Sequence, residues 1–213
     1  MYSQRVWRSI FKKYLQSDWI GKHTFFAESV IDFFPRNGNL IDLGAGLGQD
    51  SRYFSLNGFK VTSVDLSKTA IRIAKELAKK QNLKYKILKL DLSNKLPFKD
   101  ESFDIVYSHL ALHYWDIVET KKLFSEIYRI LKTGGIFATL VNTMDDPETK
   151  IFKKIDDYLY FDPKGIVKRY FTIEHLETFI SDKYEPIIFD DEGETYKDKI
   201  KCLIRFVGRK IKD

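Results

Sequence analysis

The chain has 213 residues, 44% of them hydrophobic, and a formal net charge of +6. That length and apolar content suit one domain with a sizeable core and exclude a disordered chain. A single cysteine, Cys202, excludes an intramolecular disulfide framework and a cysteine-based structural zinc cluster, and no apolar run approaches the length of a membrane span.

In chain order, the opening MYSQRVWRSIFKKYLQSDW is polar and aromatic, without the uninterrupted apolar segment of a secretory signal. A cytoplasmic setting is therefore expected. A helix is predicted over 23–34, ended by the turn at 35–39, and NLIDL at 39–43 reads as a short buried strand. A glycine turn leads to a helix over 48–56, which Asn57–Gly58 stops, and KVTSVDL at 60–66 forms the second strand. Ser67 caps a helix over 68–81 whose Lys68, Arg72, Lys75 and Lys79 share one face, opposite Ile71, Ala74, Leu77 and Ala78. With no aromatics among them, these cations read as a solvated face rather than a nucleic-acid footprint.

LKYKILKLD at 83–91 is the third strand, and LSNKLPFKDES with its Pro97 is a loop. FDIVYSHLAL at 103–112 supplies the fourth strand and its exit. A helix over 118–131 turns Val118, Leu123, Ile127, Ile130 and Leu131 inward, and Thr133-Gly134-Gly135 opens a fifth strand at 136–142. Helices near 147–158 and 172–180 precede strands near 185–190 and 199–208, with a hairpin suggested by Gly193. Strand and helix alternate, and the strands are apolar runs rather than in/out alternations. The expected fold is α/β: helices on both faces of a mostly parallel sheet, closed by an antiparallel pair. We expect cap helices at 1–36, a core at 37–142, a substrate-side insertion at 143–180 and a strand pair at 184–209, all within one domain.

The stretch LIDLGAGLGQD at 40–50 clears side chains from a strand-to-helix turn, where α/β sheets bind ligands. No Lys-Ser/Thr pair follows it, so a P-loop fails. A dinucleotide fingerprint from Gly44 needs glycine where Gln49 stands, and Asp50 would set negative charge near a pyrophosphate. Asp42 and Asp50 suit a phosphate-free ligand with a positive centre and an amino group. Asp65, at the end of the second strand, is placed to accept from two ribose hydroxyls. Asp91, at the end of the third, suits an exocyclic amine of a base held between Leu66 and Leu92.

These segments together resemble the class I, Rossmann-like S-adenosylmethionine-dependent methyltransferases of the small-molecule type. The acidic-x-Gly-x-Gly-x-Gly core of that family's first motif is met by Asp42, Gly44, Gly46 and Gly48. VDLS at 64–67 matches its ribose-binding segment and LDL at 90–92 its adenine-contacting segment. LPFKDESFDIVYSHLALHYW at 96–115 resembles its fourth-strand region, and IYRILKTGGIF at 127–137 its helix–turn–strand, with Thr133 where proline is usual. The resemblance covers about 39–141. It implies a three-layer sandwich around a seven-stranded sheet with an antiparallel C-terminal strand, and S-adenosylmethionine as cofactor. By analogy Asp42, with Gly44, Ala45 and Gly46, meets the cofactor's amino acid portion, and the backbone around Ser108 and Leu110 lines the methionine side.

The same resemblance implies methyl transfer to a small-molecule acceptor by in-line displacement. An RNA or protein methyltransferase and a non-catalytic cofactor-binding protein are the alternatives. HYW at 113–115 does not make the Asn/Asp-Pro-Pro-Tyr/Phe signature of base or glutamine methylation. His113 is the candidate base, ahead of His109 and Tyr114, and Tyr14 with Trp19 a candidate lid. Tyr158, Tyr160, Phe161, Arg169 and Tyr170 are candidates for an acceptor pocket. His109 and His113 lack a third metal ligand, and no G-x-S-x-G elbow occurs. No metal is expected, nucleic acid and membrane are disfavoured as partners, and a monomer or homodimer is expected.

Overall fold

Alternate side chains of the central strands enter opposite cores, and this sorting builds the layers. The computed structural model describes residues 4–15, 17–180, 182–195 and 202–212. Its elements begin with α1 (Gln4–Tyr14), α2 (Phe25–Val30), β1 (Asn39–Leu43), α3 (Gln49–Leu56), β2 (Lys60–Asp65) and α4 (Lys68–Lys80). They continue with β3 (Lys86–Lys89), β4 (Phe103–His109), α5 (Ile117–Ile130) and β5 (Leu131–Asn142). The last part holds β6 (Lys153–Lys154), β7 (Leu159–Asp162), β8 (Ile166–Arg169), α6 (Ile173–Ile180), β9 (Tyr184–Asp190) and β10 (Leu203–Lys210).

Ile41, Leu43, Val106, Phe137 and Val141 face α5 and α6, where Leu123, Phe124, Ile127, Leu176 and Phe179 meet them. Leu40, Ile105, Tyr107, Ile136, Ala138 and Leu140 point the other way, onto Phe26, Ala27 and Val30 of α2 and Phe54 of α3. A smaller cluster joins Phe11 of α1 to Leu47 and to Ala70 and Ile73 of α4. The strands lie in the order β3-β2-β1-β4-β5-β10-β9. Neighbours from β3 to β5 are parallel, and β10 runs antiparallel to both β5 and β9. This is the expected Rossmann-like, seven-stranded α/β sheet, with β10 lying between β5 and β9 rather than at the edge. Part of the strand predicted over 199–208 falls outside the described residues. Among the described residues no helix is long and apolar enough to cross a membrane.

Three local expectations are corrected. The helix predicted over 147–158 is a single 3-10 turn, Pro147–Lys150, capped by Asp146. After it, β6, β7 and β8 form a separate antiparallel sheet. The reason is a turn missed in the sequence: Asp162 accepts from Lys164 N at 2.7 Å through its side chain and from Gly165 N at 2.8 Å through its carbonyl, and Gly165 takes φ +87°. The helix predicted over 23–34 is shorter, α2 giving way to a 3-10 turn at Ile31–Phe33. Val118 points outward, 57% exposed, because it lies in the first turn of α5 off the buried stripe.

Two polar clamps hold this framework. Arg129 of α5 donates to the carbonyls of Leu96 and Phe98 at 2.9 and 2.8 Å and pairs with Glu126 and Asp100, each at 2.7 Å. Glu126 in turn accepts from Leu96 N at 2.8 Å, so the loop after β3 is fixed to α5. The second clamp is Asp50, only 6% exposed. It accepts from Thr24 N at 2.7 Å, from Thr24 Oγ1 at 2.9 Å and from the Tyr107 hydroxyl at 2.7 Å. Thr24 also caps α2, accepting from Ala27 N at 3.0 Å.

Arg129→Ala strands two loop carbonyls and a half-buried carboxylate, and is expected to cost about 2 kcal/mol in urea denaturation. Arg72→Ala, which removes only an exposed i,i+4 pair with Glu76, should cost under about 0.5 kcal/mol. Equal losses would show that Arg129 does not anchor the loop. Tyr107→Phe should cost about 1.5–3 kcal/mol by the same measurement, because Asp50 loses one of its buried donors.

Candidate active site

The C-terminal ends of β1, β2 and β4 meet along one rim, and bare backbone is what lets them meet. Gly44 leaves β1 at φ +71°, and a Cβ on it would lie 2.3 Å from the Cβ of Ala111. Ala111 is brought there by Leu110, which takes φ +52° and donates its N–H to Leu140 O at 3.0 Å. A Cβ on Gly46 would press on the Phe11 ring at 3.3 Å. Gly48 serves a different contact. Its φ of +74° starts α3, and a Cβ there would meet the Tyr85 hydroxyl at 3.2 Å and Ala74 at 3.3 Å.

Below this turn lies a cavity of about 690 Å³. One end is walled by Asp65 and Leu66 at the end of β2 and by Leu90, Asp91 and Leu92 after β3. Asp65 accepts from Gly46 N at 2.9 Å and from Ser67 N at 2.7 Å, which aims the carboxylate across the glycine turn. Burial raises its pKa, partly offset by those backbone donors. Asp91 accepts from Ser93 N at 3.0 Å and Ser93 Oγ at 2.7 Å, a small turn that leaves it on the rim.

Asp42 is 3% exposed and holds one side-chain bond, from Ser51 Oγ at 2.5 Å. Burial first, then the neighbouring charge of Asp50, pushes its carboxyl up to about 8, against the Ser51 bond that lowers it. A carboxyl so placed has an unmet demand for a cationic partner. Asp50 lines the same wall, but its oxygens are held by Thr24 and Tyr107.

The other end of the cavity is built by elements outside the parallel strands. Trp7, Phe11 and Tyr14, spaced along one face of α1, form a roof with Trp19, and Trp7 meets Tyr114 edge-on at 5.1 Å. Asn142, Asp146, Glu148, Lys168, Thr195 and Cys202 close the floor. Glu148 accepts from Lys168 Nζ and from the Tyr170 hydroxyl, the latter at 2.8 Å. His113 lines this end at 1% exposure, its Nδ1 buried without a hydrogen-bond partner. Burial, then the charges of Lys168 and His109, hold its imidazole far below the ordinary value, so it is neutral. Burial and the Glu148 charge push the Tyr14 phenol up, so it stays protonated.

Of the residues predicted for the cofactor, Asp42, Gly44, Ala45, Gly46, Asp50, Asp65, Leu66, Asp91, Leu92 and Leu110 line this one cavity, as do His113 and Tyr14. Gly48 and Ser108 do not: Gly48 packs α3 against α4, and the buried Ser108 donates to Leu43 O at 3.0 Å. Tyr158, Tyr160, Phe161, Arg169 and Tyr170 do not line it either. Arg169 is 1% exposed and ties Trp115 O, His175 and Asp156 together, a structural pin rather than part of an acceptor pocket. Sequence reasoning missed Trp7, Phe11, Asn142, Asp146, Glu148, Lys168 and Cys202. The i, i+4, i+7 stripe Trp7–Phe11–Tyr14 was the available signal for the first two.

A methyltransferase-domain family matches residues 41–139. The chain is 32% identical over 133 residues to a malonyl-[acyl-carrier protein] O-methyltransferase of Pectobacterium atrosepticum, covering 61% of this chain and 50% of that one. It is 36% identical over 189 residues to phosphoethanolamine N-methyltransferase 2 of Caenorhabditis elegans, covering 84% of this chain and 42% of that one. The chain thus spans about half or less of the length of these relatives. Among solved structures, the Burkholderia thailandensis 1,6-didemethyltoxoflavin-N1-methyltransferase, bound to 1,6-didemethyltoxoflavin and S-adenosylhomocysteine, superposes with a TM-score of 0.73 at 19% identity. That match covers 100% of this chain and 92% of the other and shows the fold. With the glycine turn, the three strand-end carboxylates and the sheet order on one framework, the matched residues form a class I, Rossmann-like S-adenosylmethionine-dependent methyltransferase domain.

Proposed function

We propose that this chain transfers the methyl group of S-adenosylmethionine to a small-molecule acceptor by in-line displacement. One observation carries the reading: a single cavity runs from the end walled by Asp65 and Asp91, past bare Gly44 and Gly46, to the pocket around His113, Tyr14 and Glu148. Its volume lies within the range of about 300–1,000 Å³ usual for small-ligand sites. Relatives named for oxygen and for nitrogen methylation both occur, so their names do not choose the acceptor atom.

The residues present fit the cofactor. Asp65 would present its carboxylate to the ribose hydroxyls, and Asp91 would meet the edge of a base held between Leu66 and Leu92. Gly44 and Gly46 would let the methionine portion approach the backbone, and Asp42 would answer its ammonium group. When bound, the cofactor supplies an activated methyl group on a positively charged sulfur. The protein's task is then alignment and exclusion of water: the α1 roof of Trp7, Phe11 and Tyr14 covers the site, and the 143–148 segment with Lys168 sets where an acceptor lies. The neutral His113 and the protonated Tyr14 position the acceptor by contact and hydrogen bonding.

Asp65→Ala should weaken S-adenosylhomocysteine binding about tenfold to a hundredfold by calorimetry, from the loss of charge-assisted hydrogen bonds. Unchanged affinity would remove Asp65 from the cofactor site. Asp42 makes a second prediction about pH. Its folded pKa is raised, so the ligand-free protein binds this proton more tightly than the unfolded chain. This group's contribution to stability should therefore fall as pH rises from about 4 to about 8. A bound ammonium group favours the ionised form, so S-adenosylhomocysteine affinity should rise between about pH 6 and 8 and then level off. Asp42→Asn should abolish both trends, in thermal melts and in calorimetry; a wild-type affinity flat across that window would refute the Asp42–ammonium contact.

A further inference from the structure

The cavity has a charge pattern that its adenosine end does not explain. Among the described residues its acceptor end holds two carboxyl side chains that the cofactor does not account for, Asp146 and Glu148, against one basic side chain, Lys168. That lysine is already committed to Glu148. At the acceptor end, Asp146 is held in place by Asn142 Nδ2 at 2.7 Å and by Glu148 N at 3.0 Å. Burial works to raise the Glu148 pKa, but Lys168 and the Tyr170 hydroxyl outweigh it and hold the carboxyl below its ordinary value. An anionic acceptor would meet fixed negative charge and no uncommitted cation among these groups, which disfavours carboxylates and phosphate esters.

The roof points the same way. Trp7 stacks on Phe11 at 5.8 Å and meets Tyr114 at 5.1 Å, and Tyr14 meets Trp19 at 5.1 Å. Aromatic faces take flat rings and cations. His113 is a buried polar group of this wall whose Nδ1 has no hydrogen-bond partner among the described residues. An imidazole held neutral there is too weak a base to strip an aliphatic ammonium, whose pKa is near 10. The attacking atom must therefore arrive with its lone pair already free.

Building on the methyltransferase reading above, we infer that the acceptor is a flat nitrogen base, a ring nitrogen or arylamine, uncharged on arrival and cationic once methylated. The nitrogen lone pair forms the new N–C bond as the C–S bond breaks. The C–S electron pair stays on sulfur, so positive charge passes from sulfur to nitrogen and the cavity's net charge does not change. A ring nitrogen keeps that charge; an arylamine then releases its proton to water. Glu148 is the specificity-determining residue, because it offsets the charge of Lys168 beside the nascent cation.

The test is calorimetry on the full chain saturated with S-adenosylhomocysteine, titrated with N-methylquinolinium and, separately, with 1-naphthoate, a two-ring outline of opposite charge. The wild type should bind the cation at least about tenfold more tightly than the naphthoate. Glu148→Gln, which leaves Lys168 without its counter-charge, should lose about tenfold for the cation and gain for the naphthoate. Retention of S-adenosylhomocysteine affinity within about twofold establishes that the variant is folded. Equal or tighter naphthoate binding to the wild type, a preference unmoved by Glu148→Gln, or failure of both rings to bind would overturn the acceptor assignment and leave cofactor binding standing. Failure of S-adenosylhomocysteine itself to bind would instead overturn the methyltransferase reading on which the assignment rests.

Discussion

Taking a carboxylate out of water is costly unless donors replace the water, and this fold buries two beside one glycine turn. Asp50 and Asp42 receive different treatment. Asp50 gains two donors from Thr24 and one from Tyr107, and through them the cap, α3 and β4 become one unit. Asp42 gains only the Ser51 hydroxyl and stays a buried acid in want of a cation. The first residue spends its charge on architecture and the second keeps it for a ligand. The position of α2, and the ceiling the N-terminal segment places over the cavity, follow from the first.

The two ends of the cavity differ in how they are held. The cofactor end hangs on strand termini whose hydrogen-bond registers leave little freedom, so its carboxylates are set by the sheet itself. The acceptor end is assembled from α1, the segment after β5, β8 and the residues flanking β10. These pieces belong to different layers, and substitution in one leaves the sheet untouched. A framework of this kind keeps one cofactor while the partner molecule varies.

The sequence made the sheet legible because chemical markers close its first three strands, Asp42 with the glycines, Asp65 and Asp91, and because β4 and β5 are apolar runs. The order of β10 and β9 was not legible, since an antiparallel pair looks alike whichever member joins β5. The helix expected over 147–158 failed because Asp162-Pro163-Lys164-Gly165 is a hairpin turn, and the aromatic residues before it belong to a strand. Arg169 shows the complementary difficulty. Its three partners, Trp115 far back in the chain and the nearer His175 and Asp156, share no motif and are brought together only by packing. Much of the acceptor end was hidden for the same reason: Glu148 and Lys168 carry no motif, and only the meeting of two loops makes them a pair.

β10 is the last of the described strands, yet it sits inside the sheet, paired with β5 along Ile136–Asn142 and with β9 on its other side. During synthesis, β5 is complete some sixty residues before its neighbour is made, a gap read from the positions of Asn142 and Leu203. Until then a long apolar strand offers an open row of amides and carbonyls, the kind of edge that recruits foreign strands. On that order of synthesis, a strand that ends deeply buried is first an adhesive one. The seal comes from a segment rich in charge, Arg205, Arg209 and Lys210 among it. Closure of the sheet therefore waits for the segment that carries β10.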